Sequence, residues 1–138
     1  GAGFVYQAEG FDTVIGAGEG GNDMARFYGS SGSDTFTATP TTAQMTGPGY
    51  DLRAMDFARM FGFARPGGTD RAFLFDSPGD DRFIGYGVFA QVIGVGFDER
   101  ASGFSSVRIF GTAGGLNQLN LFPNSPITYE LIQTGSWV

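Results

Sequence analysis

Residues Gly67–Gly85 read GGTDRAFLFDSPGDDRFIG: a short run of alternating character, a reversal built on Ser77, Pro78 and Gly79, and the start of a second alternating run. Alternation over so few residues marks half-buried strands, and Ser, Pro, Gly and Asp supply the backbone angles and self-bonding side chains of a tight turn. The stretch is also a copy. Asp23, Ala25, Ser30, Gly32, Asp34 and Phe36 recur as Asp70, Ala72, Ser77, Gly79, Asp81 and Phe83, every pair 47 residues apart. One displacement held by turn and strand residues alike marks an array of a single structural unit.

Working outward, residues 22–68 and 69–115 align without a gap and share Ala43/Ala90, Gln44/Gln91, Gly47/Gly94, Gly49/Gly96, Asp51/Asp98, Arg53/Arg100, Ala54/Ala101 and Phe57/Phe104. Ahead of them, residues 3–21 form a partial unit whose Ala8, Phe11, Val14 and Gly16 match Ala54, Phe57, Met60 and Gly62 at an offset of 46. Behind them, 116–124 opens a third unit, with Asn117, Leu119, Leu121 and Phe122 on Asp70, Ala72, Leu74 and Phe75. Repeats thus occupy 1–124. The rhythm then dissolves into SPITYELIQTGSWV, so 125–138 reads as a C-terminal cap or connecting segment, with Ile127, Tyr129, Leu131, Ile132 and Trp137 to cover the last apolar end. A stack that begins inside a unit is expected to leave its N-terminal end open to pairing with another copy of the chain.

Within a unit, period-2 alternation picks out five strands near Met24–Gly29, Asp34–Thr39, Thr42–Thr46, Asp51–Met55 and Ala58–Ala64. The inward positions are those apolar or small in both copies: Ala25, Phe27, Phe36, Ala38, Ala43, Met45, Ala54, Phe57 and Met60, against Ala72, Leu74, Phe83, Gly85, Ala90, Val92, Ala101, Phe104 and Val107. Outward positions vary, with Arg26 against Phe73 and Phe61 against Arg108. Five-residue strands span roughly 17 Å, so a unit makes about two turns of a three-sided coil. The expected fold is all-β, a parallel β-solenoid (β-helix) of 47-residue repeats with Phe36 and Phe83 in one interior column. The alternative is a set of β-propeller-like blades, whose repeats have similar length.

Composition narrows function. The 138 residues contain 24 Gly and 15 Phe, many reversals joined to large apolar side chains, which suits short strands and not helices. His, Cys and Lys are all missing, and the eight basic residues are all Arg. The commonest general base, the thiolate nucleophile and sulfur-ligated zinc are therefore out of reach. A net charge of −6 repels phosphate backbones and anionic membranes, so neither nucleic acid nor membrane insertion is expected.

The pattern GxDxAxLYDSxGxDTFxATPxxAxMxGxGYxxxAxxFxxVxAxAxxGG, closest in NDMARFYGSSGSDTFTATPTTAQMTGPGY at Asn22–Tyr50, resembles a repeat of very large secreted or surface proteins of planctomycetes. It spans nearly all of 3–122. The resemblance implies an extracellular or cell-surface, repetitive, structural and adhesive setting, and it implies no chemistry.

Two constellations are candidates for sites. Asp76, Asp80 and Asp81 crowd one turn, and oxygen-rich turns bind calcium. The first copy has Gly29, Ser33 and Asp34 there, which favours the simpler reading that Asp34 and Asp81 cap their turns. Calcium is the one cofactor this arrangement admits. Tyr28, Phe75 and Phe122 recur at the repeat spacing on an outward face, with Phe63 and Phe110 as a second series. Such rings form either a self-packing ladder or a surface for glycan or protein. The expected function is a non-enzymatic structural or adhesive module, a rigid acidic rod whose partners are neighbouring repeats or copies of itself. The alternative is a carbohydrate-binding or carbohydrate-acting β-helix.

Overall fold

The computed structural model describes residues 5–8, 13–18 and 22–138, and these form fourteen strands and no helix. In chain order they are β1 (Val5–Ala8), β2 (Thr13–Ala17), β3 (Met24–Tyr28), β4 (Thr35–Ala38), β5 (Thr42–Gly47), β6 (Tyr50–Met55), β7 (Arg59–Phe63), β8 (Arg71–Phe75), β9 (Arg82–Tyr86), β10 (Phe89–Gly94), β11 (Phe97–Ser102), β12 (Ser106–Gly111), β13 (Gln118–Leu121) and β14 (Glu130–Gly135). The five strands expected in each unit are all present, within a residue or two at their ends. Phe11, named for the first partial unit, lies outside the described residues.

The strands make two seven-stranded mixed sheets, ordered β1-β3-β7-β11-β10-β9-β13 and β14-β12-β8-β4-β5-β6-β2. Pairing is antiparallel inside the meanders β4–β5–β6 and β9–β10–β11 and parallel at every other junction. Antiparallel neighbours are joined by short hairpins: Pro48-Gly49 links β5 to β6, with Gly49 at φ 81°, and Val95-Gly96 links β10 to β11, with Gly96 at φ 82°. A positive φ at the second turn position after a residue such as Pro is the type II turn, which requires glycine there. Parallel neighbours, in contrast, are reached only by crossing to the other sheet and back.

The crossings decide where equivalent residues go. One unit leaves the first sheet at β3, runs its meander in the second, returns at β7 and crosses again to β8, an odd number of crossings. Each strand's copy 47 residues later therefore lies in the opposite sheet. This corrects the expectation of a three-sided coil with one column of equivalents: Phe36 belongs to β4 in the second sheet and Phe83 to β9 in the first. Both rings are nonetheless fully buried. Phe36 packs against Phe27 at 5.6 Å and Phe104 at 6.1 Å, and Phe83 meets Trp137 edge-on at 6.5 Å.

All eighteen residues assigned to the interior from the repeat are buried, and nearly all belong to one apolar cluster between the sheets. Close contact between the end of each unit and that unit's own first turn fixes the crossings. Gly68 (φ 68°) lies against the backbone of Gly32, and Gly115 (φ 74°) lies against that of Gly79, so a Cβ at either would collide with main chain. Alanine there would be excluded by both space and backbone angle.

The third unit returns to its start by a shorter path. The Arg59 N–H donates to the Asp23 carbonyl at 3.1 Å and the Ser106 N–H to that of Asp70 at 3.3 Å, each 36 residues on. The Val138 N–H donates to the Asn117 carbonyl at 3.0 Å, only 21 residues on. A single strand, β14, takes the place of a three-stranded meander and pairs with β12 as β11 pairs with β7. Tyr129 and Trp137 from this segment are buried in the core, with Ile127 and Leu131 packed against it.

Candidate functional site

Five buried aspartates, Asp23, Asp34, Asp70, Asp76 and Asp81, lie where the chain crosses between sheets. Asp34 is 1% exposed, and its carboxylate accepts the Ser30 N–H at 2.6 Å, the Ser30 hydroxyl at 2.9 Å and the Tyr50 hydroxyl at 2.7 Å. Asp81 repeats the pattern with the Ser77 N–H at 2.6 Å and hydroxyl at 2.9 Å, but Phe97 replaces Tyr50 and brings no hydroxyl. The backbone N–H groups of these two residues reach the next unit's acid or amide: Asp34 donates to Asp70 at 2.8 Å and Asp81 to Asn117 at 3.2 Å. Capping a turn and tying adjacent units is thus one device, used twice. Burial raises the carboxyls of Asp70 and Asp81 above the ordinary aspartate range, and burial followed by the bond to Asp34 raises the Tyr50 hydroxyl.

The three acids named for calcium are close neighbours whose oxygens point to different donors. Asp76 accepts the N–H groups of Thr112 and Ala113 at 3.2 and 3.1 Å and the Asn117 amide at 3.0 Å. Exposed Asp80 accepts the Leu116 N–H at 2.8 Å, and buried Asp81 caps its own turn. Among the described residues, no group of three or more acidic side chains is placed to hold a metal ion.

Glu99 escaped the sequence reading. It is fully buried on β11, facing inward at the position of Leu52 in the first copy. One carboxyl oxygen accepts the Phe75 N–H at 3.2 Å from the other sheet, beyond the end of β4, where β8 loses a strand partner. The second oxygen has no partner. Desolvation, and behind it the nearby charges of Asp81, Asp76 and Asp98, raise this carboxyl well above the ordinary glutamate range, against the lowering effect of the Phe75 N–H. The signal was a Leu-to-Glu exchange at an inward repeat position.

The outward aromatics do not form one ladder at the repeat spacing. Tyr28 stacks on Phe63 at 5.1 Å on the first sheet, and Phe75 stacks on Phe110 at 4.2 Å on the second. Phe122 stands apart, edge-on to Tyr86 at 5.8 Å. The variable outward positions also prove to be exchanged neighbours. Arg26 is in register with Phe61 on the first sheet, and Phe73 with Arg108 on the second, so one Arg and one Phe adjoin a stacked ring pair on each face.

The first sheet adds a cleft. Across β7, β11 and β10 the register sets Phe63, Ser102 and Phe89 side by side, a small residue between two rings. The row beside it holds Arg26, Phe61 and Arg100. The Arg100 guanidinium lies 4.4 Å over the Phe61 ring, which it covers, and is pinned by two bonds to Asp98 at 2.8 and 3.1 Å. Asp98 is itself held by Gln91 at 2.8 Å. Arg26, Phe61, Phe63, Phe89, Arg100 and Ser102 thus line a cavity of about 200 Å³. The second sheet carries the same Gln44–Asp51–Arg53 network, beside Ile15 and Met55, without the paired rings. No protein-family model, curated protein or solved structure matches this chain.

Proposed function

We propose that the chain is a non-enzymatic structural and adhesive module of a secreted or cell-surface protein, a solenoid-like stack in which each unit covers the apolar end of the one before. The observation that carries this reading is the exchange of sheets between units: every parallel pairing joins strands brought together by successive passes of the chain, so further units can add to the same sheets. Buried Asp70 and Asn117, which accept the backbone N–H of Asp34 and Asp81 in the preceding unit, serve the same end. The absence of His, Cys and Lys from the sequence and the resemblance to surface-protein repeats agree with a structural, extracellular role. The partners in this reading are neighbouring units or other copies of the chain, meeting along sheet edges such as β13. Sedimentation over a concentration series tests it, with Leu121→Pro as the variant that blocks the β13 edge, since the N–H groups of Gln118 and Asn120 face β9 and that of Leu121 faces away from it. Reversible association weakened by the proline is expected. A monomer at every concentration would contradict the reading.

A further inference from the structure

The geometry points to the Phe63–Ser102–Phe89 cleft as a binding site for a carboxylated sugar, a uronate unit of an acidic polysaccharide. It does not rest on association between chains, since every lining residue comes from one sheet of one chain, Phe63 from the first complete unit and Ser102 and Phe89 from the second.

Three features define the ligand. The first is a slot. Strands lie roughly 4.8 Å apart, so Phe63 and Phe89, separated by the strand of Ser102, stand about two spacings from one another. That gap admits one saturated ring against the Phe63 face, while the Phe89 face is shared with the Arg100 guanidinium, 5.9 Å from its centroid. Tyr28 behind Phe63 and Tyr86 beside Phe89, at 5.1 and 4.9 Å, stiffen the two walls.

The second feature is a free cation. Arg100 is committed to Asp98, but Arg26 makes no ion pair or hydrogen bond among the described residues. In a chain of net charge −6, an unengaged guanidinium at the rim of an aromatic slot offers a planar fork that a carboxylate fills with two bonds. The third is wetness. Phe63, Phe89, Ser102 and Arg26 are all half-buried, so a ligand in the slot keeps its outer edge in water. A hydroxylated ring loses little there, whereas an apolar ligand would gain little. The second sheet is an internal control: Phe75, Phe110 and Arg108 recur, but the place of Ser102 is taken by Thr134 on the edge strand β14, and no second wall stands beyond it.

The test is calorimetric titration of the whole chain with trigalacturonate, its fully methyl-esterified form and hexaglutamate. One site per chain is expected for trigalacturonate, weakened by salt, with little binding of the ester or the peptide. Arg26→Ala should weaken binding roughly 10- to 100-fold, as loss of a charge-assisted pair does. Ser102→Leu should close the slot, and Arg108→Ala should change nothing. Arg26 is half-buried and makes no hydrogen bond or ion pair among the described residues, so its variant keeps the test valid if Ser102→Leu fails to fold. No binding at millimolar trigalacturonate, equal binding of the ester or hexaglutamate, or indifference to Arg26→Ala would each overturn the assignment.

Discussion

Replacing Glu99 by Gln should flatten the dependence of stability on pH. The carboxyl is buried, holds one hydrogen bond from the Phe75 N–H and leaves its second oxygen unpaired, so the folded state holds the proton well above the ordinary value of 4.5. Below that value both states are protonated and Glu99 carries no ionisation penalty. As pH rises, the unfolded chain releases the proton while the folded chain keeps it. Stability then falls by about 1.4 kcal/mol per pH unit until the folded group itself ionises. Asp70 and Asp81 are raised by burial and add slopes of the same sign, so the informative quantity is the difference between wild type and variant. Gln keeps the oxygen that accepts from Phe75 and removes the proton equilibrium. Glu99→Leu, which restores the residue of the first copy, also removes the slope but strands the Phe75 N–H, at a cost of about 1–3 kcal/mol. Urea unfolding at pH 5, 6 and 7 gives the slopes directly. Equal slopes for wild type and Glu99→Gln would refute the raised affinity of this carboxyl for its proton.

Truncating the two fully buried rings, Phe36→Ala or Phe83→Ala, should each cost roughly 3–5 kcal/mol in chemical denaturation, and their effects should add, since the rings lie in different sheets with separate ring partners. Millimolar Ca²⁺ should raise the melting temperature no more than Mg²⁺, because Asp76, Asp80 and Asp81 already accept protein donors; a calcium-specific rise abolished by Asp80→Ala would restore the metal site.

The strands and their inward faces were legible because two ungapped copies and a period of two say the same thing about each position. Phe36 and Phe83, apolar in both copies, were placed correctly as interior. Their relation to one another was not legible. It depends on which reversals are hairpins within a sheet and which are crossings, and turn residues such as Ser, Gly and Asp serve both. Phe61 read as outward, which it is, yet it is only 7% exposed because Arg100 from another strand lies over it. The cleft was invisible for the same reason. Phe63, Phe89 and Ser102 become neighbours only through the register of β7, β11 and β10, two parallel strands and one antiparallel. The ring series at the repeat spacing suggested one flank because the exchange of sheets between units had not been counted.

That exchange is most directly tested by cysteine cross-linking, which a chain without native cysteine permits. Thr37 on β4 and Phe73 on β8 are parallel register partners pointing outward from the second sheet, and Thr37 and Ile84 are repeat equivalents on opposite faces. Thr37→Cys with Phe73→Cys should form a disulfide under mild oxidation, since neighbouring strands bring the Cα atoms within bonding range. Thr37→Cys with Ile84→Cys should not. Efficient cross-linking of the Thr37/Ile84 pair with none between Thr37 and Phe73 would place equivalent strands side by side and contradict the two-sheet exchange.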